Sequence, residues 1–314
     1  MSSLPLRIAA ITPLTDRIAQ FDLVSVDGGA LPAWQPGAHV RVALPEGGDR
    51  AYSLIRFPGV AQAGYRIAVQ REDGGKGGSK FMHGLVAGDT LSVTPPKCDF
   101  PLAQAPALLL AGGIGITPMI SMAAELQDAG RPFDLHYCGR SRGVMAYADS
   151  LATAFGPALH LHCDDDPATA PDLAAIIAGL GPDRHLYICG PRGMIDAARA
   201  LAEAAGIAPD RVHVELFDNA SAGTEDSAFE VELTSTGQVF TVPPGRSIIE
   251  VLEGAGVDLT YDCQRGDCGI CQTDIISGTP DHRDVVLTEA ERASGTVMQI
   301  CVSRAKSPRL VLDL

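Results

Sequence analysis

Cys263-Gln264-Arg265-Gly266-Asp267-Cys268-Gly269-Ile270-Cys271 places three cysteines in a C-x4-C-x2-C pattern, and Cys301 follows after a mostly polar stretch. This is the ligand spacing of a [2Fe–2S] cluster held by four thiolates. Thiolates converging on so small an inorganic core leave the chain no room for a helix or a ladder, so the segment must be a loop. Gly266 and Gly269 relax the backbone there. They also let backbone N–H groups point at the sulfurs, which stabilises the reduced, more negative cluster. Structural zinc sites use paired C-x2-C ligands or Cys/His sets. Here one C-x2-C pair exists, inside the longer pattern. Disulfides belong to oxidising compartments. The opening MSSLPLRIAAITPLTD lacks the charged start, apolar core and small-residue cleavage site of a signal peptide, which predicts a cytoplasmic protein. The remaining cysteines, Cys98, Cys138, Cys163 and Cys189, are scattered and read as small buried hydrophobes.

The flanks of the cysteine loop have their own texture. Residues 229–233 and 238–242 alternate around Ser235-Thr236-Gly237, a hairpin signal. Ser247-Ile248-Ile249-Glu250 then opens a helix with a capping box. Upstream, residues 219–227 are small, polar and charged and read as a linker. Before that, residues 106–217 alternate strands and helices, with Ala107-Leu108-Leu109-Leu110-Ala111 as a continuous apolar run. Such a run is expected of a parallel strand buried on both faces, and the alternation predicts a doubly wound α/β sheet. Earlier still, short alternating strands at 7–11, 19–26, 39–44, 50–55, 65–70 and 90–93, punctuated by glycine and proline, predict a small antiparallel β-barrel. The expected boundaries are 1–103 for the barrel, 104–218 for the α/β domain, 219–227 for the linker and 228–314 for an α+β domain.

Composition narrows the function classes. The 314 residues carry 38 acidic and 24 basic side chains, a net charge of −14. That balance excludes the basic footprint of a nucleic-acid binder. No apolar run reaches the ~18–20 residues that span a bilayer. Residues 106–122 come nearest and are cut by glycines and by Pro118.

Two turns in the α/β half have the chemistry of a nucleotide site. Gly112-Gly113-Ile114-Gly115-Ile116-Thr117-Pro118 joins the buried strand to a helix. Glycines there permit close backbone approach, and the helix start offers free N–H groups to a pyrophosphate. Cys189-Gly190-Pro191-Arg192-Gly193-Met194 repeats the strand-to-helix turn. In the barrel half, Arg50-Ala51-Tyr52-Ser53 offers a cationic fork, an aromatic face and a hydroxyl, and Gly77-Gly78-Ser79 opens a short helix.

Taken together these residues resemble a known family. Residues 229–314 resemble a plant-type ferredoxin domain. Arg50-Ala51-Tyr52-Ser53 resembles the R-x-Y-S flavin signature of ferredoxin–NADP reductase-type domains, and the two glycine turns resemble their pyridine-nucleotide loops. The order of flavin barrel, nucleotide sheet and C-terminal ferredoxin resembles the phthalate dioxygenase reductase and vanillate demethylase reductase family over essentially the whole chain. The resemblance implies FMN on Arg50, Tyr52, Ser53, Gly77, Gly78 and Ser79, with Phe217 approaching the flavin. It implies NADH or NADPH on Gly112, Gly113, Ile114, Gly115, Thr117, Pro118, Cys189, Gly190, Pro191 and Met194. Arg140 stands where a 2′-phosphate would lie, which leaves NADPH open beside NADH. The cluster ligands are Cys263, Cys268, Cys271 and Cys301. Pyridine nucleotide gives two electrons together and a [2Fe–2S] cluster takes one, so a flavin must stand between them. The implied activity is electron transfer from NAD(P)H through FMN and the cluster to a terminal oxygenase. The partner expected is a Rieske-type oxygenase or demethylase acting on an aromatic acid. A reductase for a cytochrome P450 or other monooxygenase, and a redox sensor, are the competing readings.

Overall fold

The strands β1 (Leu4–Pro13), β2 (Ile18–Ser25), β3 (Ala38–Ala43), β4 (Asp49–Ser53), β5 (Tyr65–Gln70) and β6 (Thr90–Val93) form one antiparallel sheet in the order β4-β3-β6-β1-β2-β5. A short β7 (Lys97–Cys98) pairs with β3. The structure is a computed structural model and describes residues 3–60, 63–75, 77–217 and 226–314. Strand period decides what is buried: in β1, Leu6 and Ile8 point into the core while Pro5, Arg7 and Ala9 face out. The sheet curls until its edges meet, and just past β4 the Ile55 N–H donates to the Arg66 carbonyl on β5 at 2.9 Å. Helix α1 (Gly78–His83) buries Met82 against the barrel.

The second sheet is wholly parallel, with β8 (Ala107–Gly112), β9 (Phe133–Gly139), β10 (Leu159–Cys163), β11 (His185–Cys189) and β12 (Val212–Glu215) in the order β10-β9-β8-β11-β12. Every residue of β8 is buried, as its unbroken apolar run requires. Helices α2 (Ile116–Asp128), α3 (Ala148–Phe155), α4 (Leu173–Ala178) and α5 (Arg192–Ala204) connect the strands. Strand order reverses between β8 and β11, and the two glycine turns sit at the carboxyl ends of those two strands. In open α/β sheets that switch point is the crevice where ligands bind.

Barrel and parallel sheet belong to one compact unit, Met1–Glu215. Ile18, Ile55, Ala68 and Phe100 of the barrel side share a buried cluster with Leu109, Ile116, Met119 and Leu135. Ser121 on α2 fastens the joint, donating to the Leu54 carbonyl at 2.8 Å and accepting from the Arg56 N–H at 2.9 Å. Arg56 in turn pairs with Glu125 and Asp128 at 3.0 and 2.6 Å. Tyr147, in left-handed backbone at φ 63°, donates its hydroxyl to Gln20 Oε1 across the same joint at 3.0 Å. None of these pairs had a signal in the sequence, because the partners lie 65 or more residues apart.

The second unit is Leu216–Leu314. Strands β13 (Phe229–Leu233), β14 (Val239–Val242), β15 (Gln272–Ser277), β17 (Val297–Gln299) and β19 (Arg309–Leu312) make a sheet in the order β14-β13-β19-β15-β17, with β13 and β19 parallel. A small ladder joins β16 (Pro280–Asp281) to β18 (Arg304–Ala305). Helix α6 (Ile248–Gly254) starts with the expected capping box, Ser247 bonding Glu250 in both directions. Helix α7 (Glu289–Ser294) carries the same device through Thr288 and Glu291. Of the linker expected at 219–227, residues 219–225 lie outside the described ones. Its last two are anchored: Asp226 pairs with Arg283 at 2.6 Å, and the Ser227 carbonyl accepts from Arg304 at 3.1 Å. No helix among the described residues is long and apolar enough to cross a membrane.

Candidate functional site

The cysteine loop lies between α6 and β15. Cys263, Cys271 and Cys301 are buried and Cys268 is half-buried, and Cys271 and Cys301 pack into the core of the unit. The Cys301 thiol is within hydrogen-bond reach of both Cys263 and Cys271, which holds Cys263 well below an ordinary thiol and Cys271 below it too. The Cys301 proton is correspondingly hard to remove. Burial pushes Cys268, beside Cys263, up to about 11. Among the described residues no three Cys, His, Asp or Glu side chains close on a single point. A two-iron core asks for something different, four thiols spread around a body several atoms across, and this is the set present. The donor chemistry fits a [2Fe–2S] cluster.

The loop around the thiols is held open by its backbone. Gly266 has φ +83° and Gly269 φ +78°. A Cβ on Gly266 would also stand 2.6 Å from Val302 Cγ2 and 3.0 Å from Asp284 Cα, so this position excludes side chains twice over. The Gly266 carbonyl accepts from Val285 N–H at 2.9 Å, and the buried Asp284 carboxylate accepts from Val286 and Leu287 N–H at 3.0 and 2.8 Å. The Arg265 N–H donates to Cys263 Sγ at 3.3 Å, the kind of contact that favours a charged sulfur. Cys271 Sγ donates to Gln299 Oε1 at 3.5 Å. Gln299, fully buried and 28 residues away, carried no signal in the sequence. The Asp267 side chain is nearly fully buried as well. Burial pushes its carboxyl up to about 6, against the pull of Arg265 beside it.

The two nucleotide turns meet each other at the switch point. A Cβ on Gly112 would stand 2.6 Å from Pro191 Cδ and 3.0 Å from Met194 Sδ. On Gly115 it would lie 2.2 Å from the Cys189 carbonyl oxygen, and on Gly190 2.9 Å from Gly112 Cα. These glycines are therefore consumed by loop-on-loop packing. Gly113, at φ +55°, and Gly193 have open space where a Cβ would be. The reading of every glycine as room for a pyrophosphate thus divides: two face open space and three let the turns close. Helix α2 starts two residues before Pro118, and Thr117 Oγ1 donates to the Ile114 carbonyl at 3.0 Å. Arg140 is exposed at the end of the neighbouring β9. Arg142 is held by Asp149 at 2.6 Å.

The flavin elements come together in the barrel. A Cβ on Gly78 would stand 2.7 Å from Arg50 Cγ, so the Arg50 stem lies across the Gly77–Gly78 turn, whose first glycine has φ +89°. That is a cradle which only a glycine leaves open beside a cation, and it fits a terminal phosphate. Tyr52 is half-buried, and burial pushes its phenol up to about 12 against the pull of Arg50. Ser53 is buried, and Ser79 Oγ accepts from the Glu72 N–H at 2.9 Å. Phe217 belongs to the second unit and is 39% exposed.

Two family models match the chain. Residues 231–306 match the 2Fe-2S iron-sulfur cluster binding domain, and residues 109–200 match the oxidoreductase NAD-binding domain. A vanillate O-demethylase oxidoreductase from Pseudomonas sp. (strain HR199 / DSM 7063) is 41% identical over 313 residues, covering 98% of each chain. A phthalate dioxygenase reductase, solved as a modular structure for electron transfer from pyridine nucleotides to [2Fe–2S], superposes with a TM-score of 0.74 at 38% identity, over 100% of this chain and 98% of that one. An intact type IV self-sufficient cytochrome P450 monooxygenase matches at TM-score 0.72 and 33% identity, over 99% of this chain but 41% of that one.

Proposed function

The chain belongs to the family of vanillate O-demethylase oxidoreductases and phthalate dioxygenase reductase, and from that premise we propose that its electrons go to a Rieske-type oxygenase acting on an aromatic acid. It is an NAD(P)H-dependent oxidoreductase of the flavin and iron–sulfur kind, with FMN and a [2Fe–2S] cluster as cofactors. When bound, FMN takes two electrons together as hydride and the cluster passes them on singly.

The protein's own work is positioning. Arg50 and the Gly77-Gly78-Ser79 turn would hold the FMN phosphate, Tyr52 would cover the ring, and Ser53 would bond its polar edge. The turns at Gly112 to Pro118 and Cys189 to Met194 would hold the pyridine nucleotide at the switch point, with Gly113 facing its pyrophosphate. The barrel–sheet joint through Ser121, Arg56 and Tyr147 then keeps the two sites in one frame. Cys263, Cys268, Cys271 and Cys301 would ligate the cluster. The proposed divisions are 1–103, 104–218 and 228–314, in a cytoplasmic protein.

The observation that carries this reading is the gathering of four thiols, three from one loop and Cys301 from beyond β17, in a chain whose other unit presents two nucleotide-type turns back to back. Purified protein mixed with the oxygenase component of a vanillate demethylase, NADH and vanillate should form product in proportion to NADH consumed. Product no greater than with free flavin and NADH would contradict the Rieske assignment for that pair. The match to part of a self-sufficient P450 favours a second reading, in which the acceptor is a P450 haem. Reduction of a ferric P450, followed by the carbon monoxide difference spectrum, separates the two.

A further inference from the structure

Gln299 closes β17, two residues before Cys301, and is fully buried. A buried amide needs partners for both its oxygen and its NH2 group, and Gln299 has one for each. Its Oε1 accepts from the Cys271 thiol at 3.5 Å. Its Nε2 donates to Gln272 Oε1 at 3.1 Å, between residues that stand opposite each other in the β15–β17 ladder. Gln272 itself is exposed. The backbone holds the pair in place. The Cys271 carbonyl accepts from the Ile300 N–H at 3.4 Å, and the Gln299 carbonyl accepts from the Ser303 N–H at 3.0 Å. All of these residues belong to the second unit.

The form of cysteine that binds a metal is the thiolate. With Cys271 on iron its sulfur has no proton to give, and Gln299 Oε1 would face it as a second acceptor. A half-turn about the terminal torsion of glutamine, which is broad and two-fold, exchanges oxygen for NH2 in the same space. Gln272, at the surface, is free to turn likewise and offer its own NH2 group to Gln299. We propose that Gln299 is a positioning residue for the cluster, turning its NH2 group to the Cys271 sulfur when that sulfur binds iron. The inference rests on the reading of Cys263, Cys268, Cys271 and Cys301 as cluster ligands. An N–H donated to a ligand sulfur favours the reduced, more negative cluster, so Gln299 holds the reduction potential up.

The test uses full-length protein loaded with FMN and cluster, in the native form and as Gln299→Met and Gln272→Met. Methionine fills similar space and has no N–H to donate. Gln299→Met should keep its iron and reduce flavin with NADH at the native rate. Its cluster should be about tenfold harder to reduce, a fall of ~59 mV for a one-electron couple, read by spectroelectrochemical titration. Gln272→Met should shift the potential less, because water can replace its amide at the surface. An unchanged or raised potential in Gln299→Met would overturn the proposal, as would equal falls in the two variants. A second readout needs no change at Gln299. With glutamine side chains labelled with 15N, pulsed electron paramagnetic resonance of the reduced cluster should show a 15N coupling that persists in Gln272→Met and in Gln264→Met. If Gln299→Met fails to hold iron, this coupling decides: its presence in all three proteins supports the turned amide, and its absence from the native protein or loss in either variant overturns it. A native protein that carries flavin but no iron contradicts the ligand reading instead.

Discussion

The cysteine loop of the second unit and the nucleotide turns of the first are both irregular, glycine-rich segments, yet glycine does different work in each. In the cysteine loop Gly266 and Gly269 take left-handed backbone, φ +83° and +78°, that ordinary residues avoid. In the nucleotide turns Gly112, Gly115 and Gly190 have unremarkable backbone and are needed because two turns press on each other. One site is local, with three of its four cysteines inside nine residues. The other is assembled by the sheet from turns about 75 residues apart, brought together because β8 and β11 are neighbours. A local site fails when one of its own residues changes. An assembled site fails when the packing between its parts changes.

The largest effect that sharpens this contrast is at the thiols. Cys301→Ser should lose iron and the visible bands of the cluster and lower cytochrome c reduction by about 100-fold or more, since the protein acceptor is fed from the cluster. NADH–ferricyanide activity should persist through the flavin. Equal loss of both activities would mean that the two sites are not separable.

Next come the glycines. Gly115→Ala puts a methyl 2.2 Å from the Cys189 carbonyl, and should raise the KM for NADH roughly tenfold or more while flavin content stays native. Gly113→Ala has open space and meets only the strain of φ +55°, about 1 kcal/mol. Comparable effects of the two substitutions, read by steady-state kinetics and thermal melts, would break the distinction between packing glycine and open glycine.

A smaller effect is the response to acid. On the parallel sheet His136 and His162 bond at 3.0 Å with His160 stacked beside them, and His185 and His213 bond at 2.8 Å. Burial, with the neighbouring imidazoles, pulls His136 and His213 down to about 4. The unfolded chain binds these protons at about 6.5 and the folded one does not, so stability is full above that pH and falls as pH drops toward 4. The loss should be on the order of 1–2 kcal/mol per stack at such part-exposed sites. Urea melts followed by circular dichroism at pH 7 and pH 5 should show it, and His136→Gln should flatten the profile. A flat native profile would contradict the neutral stacks.

Much of this was legible in the sequence because it is governed by neighbours in the chain. The strands at 65–70, 90–93 and 229–233 and the Ser247 capping box follow from local periodicity and side-chain chemistry, and they stand where expected. The cysteine spacing likewise names its own chemistry. Contacts that close over long intervals were not legible: the Ser121–Leu54 joint, Gln299 against Cys271, and Asp267 at Leu216. Each depends on which elements the fold makes adjacent, and nothing in a short window records that. The glycines of the nucleotide turns lie between these cases. Their presence was plain, but the division into packing and open positions required the facing turn.

What the purified chain carries is the most direct test of these cofactors. Flavin and metal analysis with a visible spectrum should give about one FMN and two irons per chain, both centres bleached by NADH. Zinc in place of iron, with no flavin, would contradict it.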